Sequence, residues 1–245
     1  MTTLPALDLG AALCAARAVL FDLFRTLTSV ESTRTQLAPE PGEMLGFVDQ
    51  QQARAWRTAW DAVTEDRLIG RIRTPREVLA IPARSVDPAL PDEVLDAAVA
   101  ARQRKFDDAL LHIAPDVLAA LAALRGAGKG LALVSNADCM EAAAWPRSPL
   151  RPCFDVAIFS CDVGAAKPAP AIYLAACQAL GVAPAECLFV GDGGSDELRG
   201  AAALGMIPVQ VTGILDRHFP ELVASQGAHA RYRIAQIAAL GECWR

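Results

Sequence analysis

None of the cysteines in this 245-residue chain stands in a Cys-x-x-Cys pair, and the chain has only three histidines, His112, His218 and His229. The spacing of a zinc site is therefore missing, and no histidine carries the partner pattern of a catalytic base. The seven cysteines read instead as small buried apolar side chains in a reducing compartment. No apolar stretch approaches the roughly 20 residues of a membrane span, because Arg17, Asp22, Arg125 and Lys129 interrupt the candidates. The first twenty residues lack a basic start and carry Asp8, unlike a secretory leader. A net charge of −5 offers no basic surplus, so neither nucleic acid nor a membrane surface is expected as a partner. Gly126-Ala127-Gly128-Lys129-Gly130 lacks the Ser or Thr and the spacing of a phosphate-binding loop and reads as a helix end. A cytoplasmic protein is the expectation.

Apolar residues, at 53%, are plentiful enough for a sizeable core. They gather in five short runs, Ala18 to Phe21, Gly130 to Val134, Val156 to Phe159, Cys187 to Val190 and Ile207 to Val211, with a weaker sixth at Arg231 to Ile234. Continuous apolarity over four to six residues suits strands covered on both faces. Helix-length segments separate the later runs: Pro115 to Arg125, Asp138 to Trp145, Pro170 to Leu180 and Ser195 to Leu204. Alternation of this kind predicts a doubly wound, Rossmann-like α/β fold with a parallel sheet.

The stretch between the first two runs is too long for a connection in a compact α/β unit. Its pattern is helical, with Trp56 and Trp60 at i,i+4, Thr74-Pro75 as a helix start, and Leu95, Val99 and Phe106 on one stripe. Residues 1–29 and 112–245 are therefore expected to form the α/β core, and residues 30–111 an inserted helical domain.

In open α/β sheets ligands bind beyond the carboxyl ends of the strands. Asp22, Ser135, Ser160 and Asp192 each follow a proposed strand, with Asp196 close behind the last. Two carboxylates about 4 Å apart repel by roughly 4 kcal/mol at an effective dielectric of about 20, so such a group must share a proton or hold a cation. Oxygen-only ligands favour a hard ion such as magnesium. A carboxylate can also attack phosphorus or carbon and form a covalent intermediate. Ser135 and Lys167 would supply a hydroxyl donor and a fixed positive charge.

Four short segments, in order, resemble the motifs of the haloacid dehalogenase superfamily: Asp22 with Thr26; Ser135-Asn136 after Leu131 to Val134; Lys167-Pro168; and Gly191-Asp192 with Asp196. The similarity covers most of the chain outside the insertion, which has the position and helical character of that family's first type of cap. The resemblance implies that Asp22 is the nucleophile and that Lys167 stabilises it and the group in transit. It further implies that magnesium is held by Asp22, Asp192 and the Phe24 carbonyl with help from Asp196, and that Thr26, Ser135 and Asn136 line a phosphate pocket.

One position departs from the family pattern. Where family phosphatases carry a second aspartate as general acid and base, this chain has Phe24, and Arg25 replaces the expected glycine. A positioned acid contributes about 100- to 10,000-fold, so a phosphatase lacking it is expected to be slow or to favour good leaving groups such as acyl phosphates. An aromatic at this position also resembles the dehalogenating members, whose halide needs no proton and which need no metal. Three readings stay open: magnesium-dependent hydrolysis of a small, anionic phosphorylated molecule; carbon–halogen hydrolysis through Asp22; and a binding or regulatory protein on the same fold. Each residue also has a plainer reading. Phe24 packs against the insertion where its functional reading is a substrate contact, Arg25 forms an ion pair where its functional reading is binding an anion, and Asp196-Glu197 complements a helix dipole. Arg67, Arg71, Arg73 and Arg76 form a solvated face, and Trp56 and Trp60 fill the core of the insertion.

Overall fold

In the computed structural model, which describes residues 8–33 and 39–242, six strands form one parallel sheet in the order β3-β2-β1-β4-β5-β6. They are β1 (Ala18–Phe21), β2 (Gly130–Ser135), β3 (Val156–Phe159), β4 (Cys187–Gly191), β5 (Ile207–Val211) and β6 (Tyr232–Ile234). The apolar runs conceal an alternation that the sheet makes visible. Val19, Phe21, Leu131, Leu133, Leu188 and Val190 face one packed layer, whereas Ala18, Leu20, Ala132, Val134, Cys187 and Phe189 face the other. Both faces are covered, so both phases of each strand must be apolar. A large side chain buried in this way contributes about 1.5–3 kcal/mol relative to exposure.

The helices follow in chain order: α1 (Leu9–Ala15), α2 (Pro41–Met44), α3 (Gln50–Ala62), α4 (Thr64–Leu68), α5 (Pro75–Val86), α6 (Asp92–Leu111), α7 (Pro115–Gly126), α8 (Ser160–Val163), α9 (Pro170–Leu180), α10 (Glu197–Ala203), α11 (Gly213–His218), α12 (Val223–Gln226) and α13 (Ala238–Glu242). Leu121 and Leu124 of α7 and Leu240 of α13 pack on the first layer. Ile172, Tyr173 and Ala176 of α9 and Leu198 and Ala201 of α10 pack on the second. Helices α2 to α6 lie between β1 and β2, and a separate apolar cluster of Leu45, Phe47, Leu79, Leu95 and Ala98, with Trp56 and Trp60 against it, joins α3, α5, α6 and the segment after α2. The Thr74-Pro75 start holds: Thr74 and Glu77 cap each other's backbone N–H groups at the head of α5. Among the described residues no single helix is long and apolar enough to cross a membrane.

Three sequence expectations need correction. Asp138 to Trp145 makes turns rather than a helix. Its start has the reciprocal bonds of a helix cap, the Asp138 carboxylate accepting from Met140 N and Glu141 N and the Glu141 carboxylate from Asp138 N, yet Asp138 is fully buried in ion pairs and Pro146 follows. The cysteines are not uniformly interior: Cys177 and Cys187 are buried, Cys14 is exposed, the other described ones are intermediate, and Cys243 lies outside the described residues. Arg67 does not belong to a solvated face but is buried, as shown below; Arg71 remains exposed and pairs with Asp66.

Candidate active site

Register sets the site. Phe21 pairs with Leu133 on one side and with Val190 on the other, so the carboxyl ends of β1, β2 and β4 stand level. The chain leaves β1 at Asp22, whose backbone N–H still donates to the Val190 carbonyl at 2.9 Å. Its carboxylate is buried, accepting from Thr26 Oγ1 at 3.1 Å and from Lys167 Nζ at 2.5 Å. Lys167 Nζ also donates to Glu197 Oε2 at 2.5 Å, so one ammonium bridges two carboxylates. Burial alone would lower the Lys167 pKa, but Asp22 and Glu197 override it and hold the ammonium well above its ordinary range.

Asp192, at the exit of β4, is buried, and its Oδ1 accepts from Gly194 N at 2.9 Å. Asp22, Asp192 and Glu197 each offer a carboxylate oxygen within 4.8 Å of the other two. Burial first, and the neighbouring Asp22 charge second, raise the pKa of both Asp192 and Glu197. Gly191 makes the approach possible, because a Cβ there would stand 2.1 Å from Glu197 Oε1 and 3.2 Å from the Asp22 Cβ. That same Oε1 accepts from Gly193 N at 2.9 Å, while Oε2 is the oxygen bonded to Lys167.

Glu197 takes the place expected of Asp196. The Asp196 side chain is 66% exposed and pairs with Arg199 at 3.0 Å, because the backbone turns through positive φ at Ser195 and Asp196 and delivers the next residue inward. A sequence signal exists: Glu197 lies four residues before Ala201 on α10, and both Leu198 and Ala201 face the sheet.

Ser135 and Asn136 arrive together at the end of β2. The Ser135 hydroxyl is buried and has no hydrogen-bond partner among the described residues. Asn136 instead grips the backbone of Lys167. Ser160 is a buttress, its hydroxyl bonded to both polar groups of the Ala137 backbone.

A cavity of about 270 Å³ opens over the cluster, lined by Asp22, Phe24, Arg25, Asn136, Lys167 and Asp192 among others. The Phe24 ring packs edge-on against Phe106 of α6, with centroids 5.3 Å apart. Arg25, at φ 60°, bonds Glu31 Oε1 at 2.9 Å and lies 4.2 Å from the centre of the Phe219 ring. Both plainer readings of Phe24 and Arg25 are thus realised, and both residues still face the cavity.

The helices over the cavity are tied to the core by buried charge. Arg67 of α4 donates to Asp138 Oδ2 at 2.8 Å, and Arg102 of α6 donates to the same oxygen at 3.0 Å and to Glu141 Oε1 at 2.7 Å. Trp60 lies beneath Arg67, 3.9 Å away, and so joins the packing of the insertion to this network.

Residues 16–205 match the family model of the haloacid dehalogenase-like hydrolases. The chain belongs to that family. Among haloacid dehalogenase-like hydrolases with curated descriptions, it is 28% identical over 236 residues to (S)-2-haloacid dehalogenase 4A of Burkholderia cepacia, covering 93% of each chain. It is 34% identical over 124 residues to glyceraldehyde 3-phosphate phosphatase of Methanopyrus kandleri, a match to 49% of this chain that spans only about half of that relative, 52%. A solved HAD phosphatase from Thermococcus onnurineus has 25% identity and a TM-score of 0.61, covering 93% of this chain and 97% of its own. Relatives of both chemistries are therefore present, and family membership alone leaves hydrolysis at phosphorus and at carbon equally open.

Proposed function

We propose that this chain is a magnesium-dependent phosphohydrolase acting on a small anionic phosphorylated molecule, with Asp22 as nucleophile and the helices between β1 and β2 as a cap. The observation that carries the reading is the imbalance of charge at the strand ends. Three buried carboxylates offer oxygens within 4.8 Å of one another, and the one ammonium among them bonds only Asp22 and Glu197. Such a cluster of hard oxygens fits a hard dication, which would offset both the burial and the mutual repulsion that raise Asp192 and Glu197. Asp22, Asp192 and the Phe24 carbonyl would hold the ion, with Glu197 behind them, and magnesium would supply charge neutralisation for the transferring phosphoryl group.

The protein's own groups do the rest. Thr26 and Lys167 hold the Asp22 carboxylate from two sides and so fix its direction of attack. Lys167 keeps its proton and so remains a positive charge beside the phosphoryl oxygens. The unpartnered hydroxyl of Ser135 is a buried donor suited to one of those oxygens. Asp22 attacks phosphorus, the bond to the leaving oxygen breaks, and water then releases inorganic phosphate from the aspartyl phosphate.

A second reading keeps one specific observation in its favour. Phe24 and Phe106 form an apolar wall in the cavity, a surface suited to a carbon–halogen bond. The two chemistries separate in one experiment: phosphate release dependent on magnesium, with stabilisation by beryllium fluoride that Asp22→Asn abolishes, supports the phosphohydrolase. Halide release from 2-haloacids in EDTA, without phosphate release from any substrate, overturns it.

A further inference from the structure

Five carboxylates line the cavity. Asp22, Asp192 and Glu197 form the cluster around Lys167. Glu31 lines the cavity but accepts at one oxygen from Arg25 and at the other from Ser29, and despite its burial these bonds hold it below its ordinary value, so it stays ionised. The fifth is Glu141, which lines the same cavity as Asp22, Phe24 and Phe106.

We propose that Glu141 is the proton donor and acceptor of the hydrolysis, filling from the loop after β2 the role that a carboxylate at residue 24 would otherwise hold. The inference rests on the phosphohydrolase reading. Geometry supports it in two ways. The carboxyl is held from two directions, Oε1 accepting from Arg102 at 2.7 Å and Oε2 from Asp138 N at 2.9 Å, so its orientation is fixed. Its side chain is nevertheless 14% exposed and lines the cavity. Arg102 also lies 4.6 Å from the centre of the Phe106 ring, so the acid and the apolar wall are positioned by one helix. The groups facing Glu141 are Arg102, Arg67 and Asp138. Burial and the Asp138 charge raise its pKa, against the pull of the two arginines.

The steps balance. Asp22 attacks phosphorus; the phosphorus–oxygen bond to the leaving group breaks, its electron pair stays on that oxygen, and the oxygen takes the Glu141 proton to leave as an alcohol. Water then attacks the aspartyl phosphate, Glu141 takes one of its protons, and inorganic phosphate departs with Asp22 and Glu141 both restored.

The test is a leaving-group series, 4-nitrophenyl, phenyl and alkyl phosphates, with the full chain and magnesium. Glu141→Gln is expected to slow the alkyl ester by about 100-fold while changing the nitrophenyl ester by less than about 3-fold, since only the poor leaving group needs the proton. Adding Phe24→Asp to Glu141→Gln is expected to restore the alkyl rate. Arg71→Ala, in an exposed ion pair outside this network, is the control and is expected to leave the whole series unchanged. Should Glu141→Gln not fold, Glu141→Asp is expected to lose more on the alkyl ester than on the nitrophenyl ester. An even loss across the series with either variant, or no loss, overturns the assignment while leaving the phosphohydrolase intact. Absence of phosphate release by the wild type from every ester overturns the phosphohydrolase reading itself, and this proposal with it.

Discussion

Asn136 binds both polar groups of the Lys167 backbone: its Oδ1 accepts from the Lys167 N–H at 2.7 Å, and its Nδ2 donates to the Lys167 carbonyl at 3.0 Å. The expected phosphate contact of Asn136 is thus spent, in this structure, on aiming a lysine. Asn136→Ala removes two bonds worth about 0.5–1.5 kcal/mol each, which corresponds to roughly 5- to 150-fold in rate if the loss falls on the transition state. We expect kcat to fall within that range and KM to change little. Asn136→Asp, which keeps only the acceptor, should fall between. A fall in KM-limited binding alone would instead return Asn136 to the phosphate pocket.

Substitutions at Asp196 and Glu197 should part company. The Asp196–Arg199 pair is exposed, and such pairs contribute about 0–1 kcal/mol. Glu197 is buried against Lys167, and removing one partner of a buried pair costs about 3–5 kcal/mol. Asp196→Asn should therefore leave urea unfolding and hydrolysis nearly unchanged, whereas Glu197→Gln lowers both. Equal effects at the two positions would contradict the inward delivery of Glu197.

A charge-linked change should appear at Glu31. Its folded pKa lies below its ordinary value of 4.5, so the ionised form is favoured by folding. The sign follows from linkage: the contribution is present above about pH 4.5 and is lost as pH falls through the lower folded value. The stability gap between wild type and Glu31→Gln should be constant between about pH 6 and about pH 8 and close in acid. A gap that widens in acid would reverse the assignment.

The buried network beneath the insertion should govern its attachment. Asp138→Asn leaves Arg67 and Arg102 facing each other without their shared carboxylate, and a loss of about 3–5 kcal/mol is expected in denaturant unfolding. Arg71→Ala, in an exposed pair, is the control and should change stability by less than about 1 kcal/mol.

The sheet was readable in the sequence because burial on both faces writes itself as unbroken apolar runs, and β1, β3 and β5 begin and end where those runs do. The meeting of Asp22 and Lys167 was readable from residue order at the strand ends. Three features were not. Asp138 to Trp145 carries the local cap of a helix, but the ion pairs that engage Asp138 come from residues 67 and 102, which local pattern cannot see. Arg67 looked solvated because its partner lies 71 residues away. Glu197 was hidden behind Asp196 because two successive residues at positive φ decide which carboxylate turns inward, and side-chain chemistry does not encode that choice.

Asp22 and Asp192 leave β1 and β4, which are hydrogen-bonded neighbours in one parallel sheet. Adjacent strands are spaced about 4.8 Å apart whatever their sequence. The sheet is therefore a ruler for the distance between these two carboxylates. Backbone pitch rather than side-chain choice fixes this dimension, so a change in the helices above the cavity leaves the gauge beneath them the same.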